Sequence, residues 1–530
     1  METFSPEERA ALAPYFTNLD GPVFALVNLP EVVKGALFAR YSRSAKSLRR
    51  LFLDEFVEPS AGGVGARTVG TARAEQLYER VFSEYGDDSV AQLGGVHLAC
   101  EGASNILTKV LEWGRLMAYL EQSTRYIPYT DRPDGRWRYH VPAELDGHPL
   151  RGRYVETLDR AFETYARWIE PMRGYWTERF PKPAGDSDAA WRATIRAKAL
   201  DSLRGLLPAA TRSSVGIFGT GQGYEALLLR MRAQPLAEIR DYAGQMLAEL
   251  RKVIPAFLTR VDRPERGGAW SRYLEASRRE TGDVAGRLLA GLEPEPRGEV
   301  TLTDFDPDGE VKVVAAALYA ASRLPDDQLL AVARKLGAEE RRQVLEAYVG
   351  ARANRRHKPG RAFERTAYRF DMLGDYGAFR DLQRHRLLTL EWQPLSTRHG
   401  WVGAEEIETV GALPEWRRVM DDAAELYEAL ANAGLAEPAP YAVPMAYRVR
   451  FYMELNAREA MHMIELRTTP QGHPAYRRIC QAMHRLIAEQ AGHRAIAAAM
   501  SFADVSGAEE GRLASERAAE RRRAGSPHSP

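Results

Sequence analysis

The densest run of chemistry-bearing side chains is Tyr376-Gly377-Ala378-Phe379-Arg380-Asp381-Leu382-Gln383-Arg384-His385-Arg386. Arg380 and Arg384 are four apart, so on a helix they share a face. Guanidiniums this close repel one another unless anions lie between them. Phosphate suits them, because each planar fork can donate two parallel hydrogen bonds to its oxygens. His385 lies between two cations, is expected to stay neutral, and can then donate or accept a hydrogen bond at a ligand ring. The same run also reads as a solvated basic helix face, ion-paired to Asp371, Asp375 and Asp381.

A second string, Asn456-Ala457-Arg458, then His462, then Leu466-Arg467, reads as one helix. Arg458 and His462 are again four apart, as residues sharing one ligand would be. Earlier in the chain, Glu121-Gln122-Ser123-Thr124-Arg125-Tyr126 forms a polar loop. Gly219–Gly223 is a glycine-rich turn ahead of a helix; such turns can cradle phosphate, but here loop adaptation is the better reading. Four anchors then recur in order. Ser123-Thr124-Arg125 returns as Ser396-Thr397-Arg398 at an offset of 273, and Arg115 returns as Arg386 at 271. Pro208 and Pro444 are 236 apart, and Arg230 and Arg467 are 237 apart. Four ordered pairs at near-constant offsets imply an internal duplication.

Arg384-His385-Arg386 with a hydroxyl residue, Thr389, and then Ser396-Thr397-Arg398 resembles the signature of the flavin-dependent thymidylate synthases. Asn456, Arg458, Leu466 and Arg467 match that family's Asn-Ala-Arg…Leu-Arg helix without gaps, and Glu121–Tyr126 resembles its nucleotide loop. Arg204 in LRGLLP, Ser42 in ARYS, and His357-Lys358-Pro359 with Glu364 are softer likenesses. The departures are a Thr for Ser at Thr389, two extra residues before Ser396, His399 for Tyr, and Pro440 where Arg204 has its repeat partner. In the first half Trp113-Gly114-Arg115 replaces Arg-His-Arg. The resemblance implies an α+β fold of two tandem, helix-rich units, each a small, mostly antiparallel sheet flanked by long helices.

The implied activity is reductive methylation of dUMP to dTMP, with FAD as cofactor and methylenetetrahydrofolate and NADPH as co-substrates. The resemblance assigns flavin contacts to Arg384, His385, Arg386, Asn456, Arg458, His462 and Ser42. It assigns nucleotide contacts to Glu121, Ser123, Thr124, Arg125, Arg204, Arg230, Ser396, Arg398 and Arg467, and chemistry to Arg384, His385, Arg386 and Arg467. Because family sites form where subunits meet, each half is expected to supply part of one composite site, in a homo-oligomer of tandem chains, as a dimer. The alternative is a non-catalytic or substrate-altered relative that still binds flavin or nucleotide. A helical scaffold or RNA-binding protein is a third class.

Composition bears on these readings. The 530 residues carry 73 Lys+Arg and 72 Asp+Glu, a net charge of +1, which argues against a nucleic-acid binder. Two cysteines, Cys100 and Cys480, are too few for a disulfide framework or a zinc site, and both read as buried thiols. No apolar stretch spans a bilayer, so a cytoplasmic protein without membrane, nucleic-acid or metal partners is expected. Asp304-Phe305-Asp306-Pro307-Asp308-Gly309 opens like a calcium loop, but Ala315 stands where the closing Glu should be.

Apolar spacing predicts helices over 72–83, 93–121, 152–178, 189–206, 223–260, 325–350, 414–435 and 455–490. Strands are expected at Phe24–Val27 and, as a hairpin, at Val300–Thr303 and Val311–Val314. The boundaries follow as a first unit over 1–262, a linker with a short helix over 263–297, a second unit over 298–507, and a disordered tail over 508–530.

Overall fold

A computed structural model describes residues 3–41, 44, 46–59, 67–69, 92–184 and 187–506. The expected helix over 72–83, Ser42 and the expected tail over 508–530 lie outside the described residues. The chain forms two compact units. One comprises Met1–Ala103, Val110–Glu121 and Ser214–Leu292; the other comprises Ser104–Lys109, Gln122–Ser213 and Glu293–Pro530. The stretch 122–213, assigned by sequence to a first unit of residues 1–262, therefore packs with the second half of the chain.

Both units are α+β. The first holds most of a three-stranded sheet of β3 (Gly95–Ser104), β4 (Met117–Glu121) and β5 (Arg212–Thr220), in the order β3-β5-β4. It also holds a short antiparallel pair, β1 (Val57–Pro59) and β2 (Arg67–Val69). The second holds an antiparallel sheet of β6 (Val300–Phe305), β7 (Ala367–Asp375), β8 (Leu388–Trp392) and β9 (Arg448–Asn456), in the order β6-β7-β9-β8.

The repeat is visible element by element. Strands β4 and β8 are five residues each, at an offset of 271, and β5 and β9 are nine each, at an offset of 236. Helices Asn105–Leu111 and Tyr376–Leu382 also differ by 271, while Gly221–Arg232 and Ala457–Arg467 begin 236 apart. The order β3-β5-β4 matches β7-β9-β8 position for position.

Within the second unit, repeat-related pieces touch. Pro208 and Pro444, the anchors expected from sequence, form an antiparallel bridge. Around it Ala209 N–H donates to the Val443 carbonyl at 2.8 Å, and Met445 N–H to the Leu207 carbonyl at 2.9 Å. The Tyr376 hydroxyl donates to the Asn105 carbonyl at 3.0 Å. Helix Leu150–Arg179 packs on Asp188–Leu203 and on Leu413–Asn432. Arg153, Arg160 and Arg167, each seven apart, pair with Glu425, Asp422 and Glu415. These half-exposed pairs fix an antiparallel register more than they stabilise it.

Several local expectations fail for identifiable reasons. Residues 93–121 are strand, helix, strand, because burial alternates along Val96 to Cys100 with the period of a strand. Val311–Val314 is not the second arm of a hairpin but part of helix Gly309–Tyr319. Three alanines follow the valines, and helix propensity wins there. Gly309 opens that helix, and a Cβ there would lie 2.4 Å from His493 Cε1 and 2.5 Å from Thr366 Oγ1. Phe24–Val27 makes only an isolated bridge, Phe16 to Leu26. The predicted helix over 325–350 is broken at Leu336-Gly337. In the 263–297 segment the helix is 22 residues long, Gly267–Leu288, and mostly exposed. Both cysteines are buried free thiols. Among the described residues no helix is long and apolar enough to cross a membrane.

Candidate functional site

Helix Tyr376–Leu382 begins at Asp375, whose carboxylate accepts the Ala378 N–H at 2.8 Å, and ends before Gln383. Arg384-His385-Arg386 is therefore not on a helix but in the turn that leads to β8. Arg380 and Arg384 do not share a face: Arg380 is buried against Met445 Sδ at 3.2 Å, while Arg384 turns back to Asp381. Along the turn Arg384 is half-buried, His385 buried and Arg386 exposed.

The centre of the cluster is Asp381, a residue that sequence reading treated only as a surface counter-ion. Its carboxylate lies 3.3 Å from Arg204 Nη1 and 3.7 Å from Arg384 Nη1. Its backbone carbonyl accepts from Arg467 Nη2. Burial pushes this carboxyl up, but the guanidiniums of Arg204, Arg384, Arg467 and Arg125 together pull it well below the usual carboxylate range. Arg125 is held in a two-bond fork by Asp201, at 2.7 and 2.8 Å, and donates to the Tyr476 hydroxyl at 2.9 Å. The Arg125 and Arg467 guanidiniums lie 5.9 and 5.5 Å from the same Tyr476 ring centre. Four arginines, from sequence positions up to 342 residues apart, thus surround one carboxylate inside one unit.

Beside them lies a hydrogen-bonded chain. Arg467 Nε donates to His385 Nε2 at 3.1 Å, which leaves the imidazole proton on Nδ1, donated to Glu459 Oε1 at 3.0 Å. His462 Nδ1 meets the same carboxylate at 3.2 Å. The ligand atoms of His385, Glu459 and His462 lie within 4.8 Å of one another, as a metal site would require. With Arg467 on one ring nitrogen of His385 and Glu459 on the other, the three side chains form a hydrogen-bonded network as they stand.

Burial, only partly offset by Glu459, holds His385 down to about 4, as a neutral imidazole. Glu459 is also pushed up by burial, yet the hydrogen bonds from His385 and His462 bring it to about 2. His473, half-buried near Arg204, is lowered to about 3, chiefly by desolvation.

These values set a pH dependence. Below 6.5 the unfolded chain takes up protons that the folded histidines refuse, so their stabilisation is complete above 6.5 and shrinks as pH falls. Between pH 6.5 and 4, His385 alone accounts for about 3 kcal/mol at ~1.4 kcal/mol per unit. Glu459 adds a further loss below 4.5. Urea titrations from pH 7.5 to 4.5 should show stability falling with acid, and His385→Asn should flatten that slope. An unchanged slope would refute the assignment.

The other sequence-predicted residues are placed as follows. Asn456 caps helix Ala457–Arg467, its side chain accepting the Glu459 N–H at 2.9 Å. Arg458 Nε donates to the Pro359 carbonyl at 2.9 Å, with Nη1 3.6 Å from Glu364. The residues of the softer likeness, Pro359 and Glu364, are thus brought to Arg458. The Ser123 and Ser396 hydroxyls make the same local turn, accepting the N–H of Arg125 and Arg398 at 3.2 and 3.4 Å. Thr124 is buried beside the first of these turns. The equivalence stops there: Arg398 is 70% exposed and faces Glu428 at 3.6 Å, whereas the Arg125 side chain is 13% exposed. Glu121 and Arg230 belong to the first unit. There Arg230 lies 5.6 Å from the ring centre of Trp113, the residue that corresponds to Arg384, and burial lowers its guanidinium.

Sequence reasoning missed Asp201, Glu459, Tyr476 and His473. Asp201 and Glu459 had a usable signal, since each lies three residues from a residue already singled out, Arg204 and Asn456. Tyr476 had none. A cavity of about 280 Å³ adjoins the cluster, lined in part by Asp201, Arg204, Gly377 and His473.

An α+β protein with a buried arginine cluster around an anion is the class that this fold and site define. The family described as thymidylate synthase complementing protein matches residues 36–256 and 301–491, and this chain belongs to it. The two matched segments correspond to the two repeats. The chain is 38% identical over 520 residues to a UPF0159 protein of Chlamydia muridarum, covering 97% of this chain and 98% of that one. It is 26% identical over 178 residues to a flavin-dependent thymidylate synthase of Clostridium tetani, covering 33% of this chain and 66% of that one. Among solved structures it is similar to a UMP/dUMP methylase PolB from Streptomyces cacaoi bound with 5-Br dUMP. That match has 22% identity and a TM-score of 0.30, covers 39% of this chain and 97% of the other, and is too slight to carry an argument.

Proposed function

We propose that this protein is a flavin-dependent thymidylate synthase-like enzyme that methylates dUMP to dTMP with methylenetetrahydrofolate and NADPH. The observation that carries the reading is the convergence of Arg125 and Arg204, from the first repeat, with Arg384 and Arg467, from the second. Each repeat has lost different groups, and the second unit gathers one usable set. The tandem chain would then be a built-in pseudodimer, associating further into a dimer of tandem chains in the cytoplasm.

The donor set fits a flavin. Desolvation lowers the Lys358 ammonium, and the charges of Arg458 and Arg355 lower it further against the opposing pull of Glu459 and Glu465. The cations Lys358, Arg355 and Arg458 gathered there suit the diphosphate of FAD. Arg458, Lys358 and Arg386 would hold that group, with Arg384, His385, Asn456 and His462 nearby; Ser42 is proposed from sequence alone. Bound there, the flavin supplies hydride chemistry that the side chains lack.

Arg125, Arg204 and Arg384 would hold the substrate phosphate, with Ser123 and Thr124 shaping the loop. Arg467 would stabilise negative charge developing on the uracil, and a fixed donor of this kind typically contributes a few kcal/mol. Neutral His385, anchored by Glu459, keeps Arg467 aimed without adding a competing charge. Glu121 and Arg230 of the first unit, and Ser396 and Arg398 of the second, are proposed as nucleotide contacts from sequence alone.

Purified protein should be yellow, with one flavin per chain, and should form dTMP from dUMP when given both co-substrates. Zero flavin would defeat the reading, and two per chain would defeat the composite site. A second reading, a non-catalytic or substrate-altered relative, is favoured by one observation: Asp381 already fills the centre of the arginine cluster. Growth of a thymidine auxotroph separates the two. Folded, flavin-loaded protein that gives no rescue would select the second.

A further inference from the structure

The helix itself gives Asp381 no reason to be where it is. It lies in the last turn of helix Tyr376–Leu382, where the helix dipole disfavours an anion. It does not cap that helix; Asp375 does. It is buried, and a buried carboxylate is retained only when its surroundings match it. What matches it is the arginine set. Arg125 is already answered by the two-bond fork from Asp201, so Asp381 faces Arg204, Arg384 and Arg467. The Arg204 guanidinium is 4% exposed and uses Nη1 on Asp381, while its buried Nη2 finds no partner among the described residues. Gly377 makes this approach possible, since a Cβ there would lie 3.2 Å from both Arg204 Nε and Nη2.

We infer that Asp381 is an internal competitor for the substrate's phosphate. Its carboxylate occupies the guanidinium edges of Arg204 and Arg384 that an incoming phosphate monoester would otherwise take. The arginines stay gathered while no ligand is bound, because Asp381 screens their mutual repulsion. An arriving phosphate must displace that carboxylate or share the cluster with a like charge, so Asp381 weakens phosphate binding and leaves nucleoside binding untouched. This rests on the reading that the cluster is the nucleotide's anion site. It makes Asp381 a positioning residue that sets how strongly the phosphate is weighed against the base.

The test is isothermal titration of the full chain with dUMP, deoxyuridine and inorganic phosphate, on wild type, Asp381→Asn and Asp381→Glu. Asp381→Asn is expected to bind dUMP and inorganic phosphate at least tenfold more tightly, with deoxyuridine within twofold of wild type. Asp381→Glu keeps the charge and should stay near wild type for all three. If Asp381→Asn folds poorly through arginine repulsion, phosphate should raise its Tm far more than it raises that of wild type. Weaker or unchanged dUMP and phosphate binding in folded Asp381→Asn overturns the inference while leaving the dUMP site intact. Tighter phosphate binding with no dUMP or deoxyuridine binding in any variant upholds the inference and removes the dUMP reading instead.

Discussion

Replacing Glu465 with glutamine should destabilise the protein by about 3–5 kcal/mol, the cost of leaving a buried charge without its partner. Glu465 and Arg352 form a two-bond fork at 2.6 and 2.7 Å, and their side chains are 1% and 3% exposed. The same guanidinium donates to the backbone carbonyls of Ala499 and His357, at 2.9 and 2.6 Å. In the glutamine variant Arg352 stays charged, because a guanidinium does not give up its proton, and it stays out of water. The loss should reach the proposed flavin site as well. Arg352 fixes the backbone at His357, two residues before Pro359, whose carbonyl takes Arg458 Nε. Urea unfolding should show the lower midpoint, and flavin content should fall with it. A change below about 1 kcal/mol would mean that water reaches the pair.

Arg125→Ala and Arg384→Ala should each weaken dUMP binding by at least about 100-fold, roughly 2.7 kcal/mol. Arg125 lies in the first repeat and Arg384 in the second, so an ordinary reading of either half would predict only one effect. The reason for two is the shared centre. Arg384 meets Asp381 directly, and Arg125 acts on the same carboxylate while its own fork is held by Asp201. Removing Arg125 also leaves Asp201 as an unanswered carboxylate beside the site, a second penalty for any anionic ligand. If only one of the two changes weakens dUMP, the composite site is wrong. If neither does, the nucleotide lies elsewhere.

The sequence carried the parts of this picture that depend on spacing. The offsets of 271 and 236 reappear as matched strands and helices, and Pro208 and Pro444 pair directly. Arg125, Arg204, Arg384 and Arg467 were all named from sequence, and the structure brings them together. Periodicity erred wherever alternation and helical spacing give similar apolar patterns, as in 93–121, or where three alanines outvoted a valine run, as after Gly309. The centre of the site was harder to see. Asp381 looked like any acid on a basic helix, because its meaning comes from Arg204, 177 residues earlier in the chain. Arg380 and Arg384 were read on one helical face, and the helix ended between them. Nothing local marks Tyr476 as a surface for two guanidiniums.

The bridge between Pro208 and Pro444 has a consequence for how such a protein changes over time. In an assembly of identical subunits every substitution is written into all copies at once, so a change harmful at one interface cannot be confined there. Here the two partners across that bridge are encoded separately. Trp113 could replace the arginine expected at its position, and Pro440 could replace the counterpart of Arg204, without either change appearing on the opposite side. Joining the copies in one chain gives each half its own mutational freedom, and a lopsided site with one complete set of arginines is the form that freedom allows.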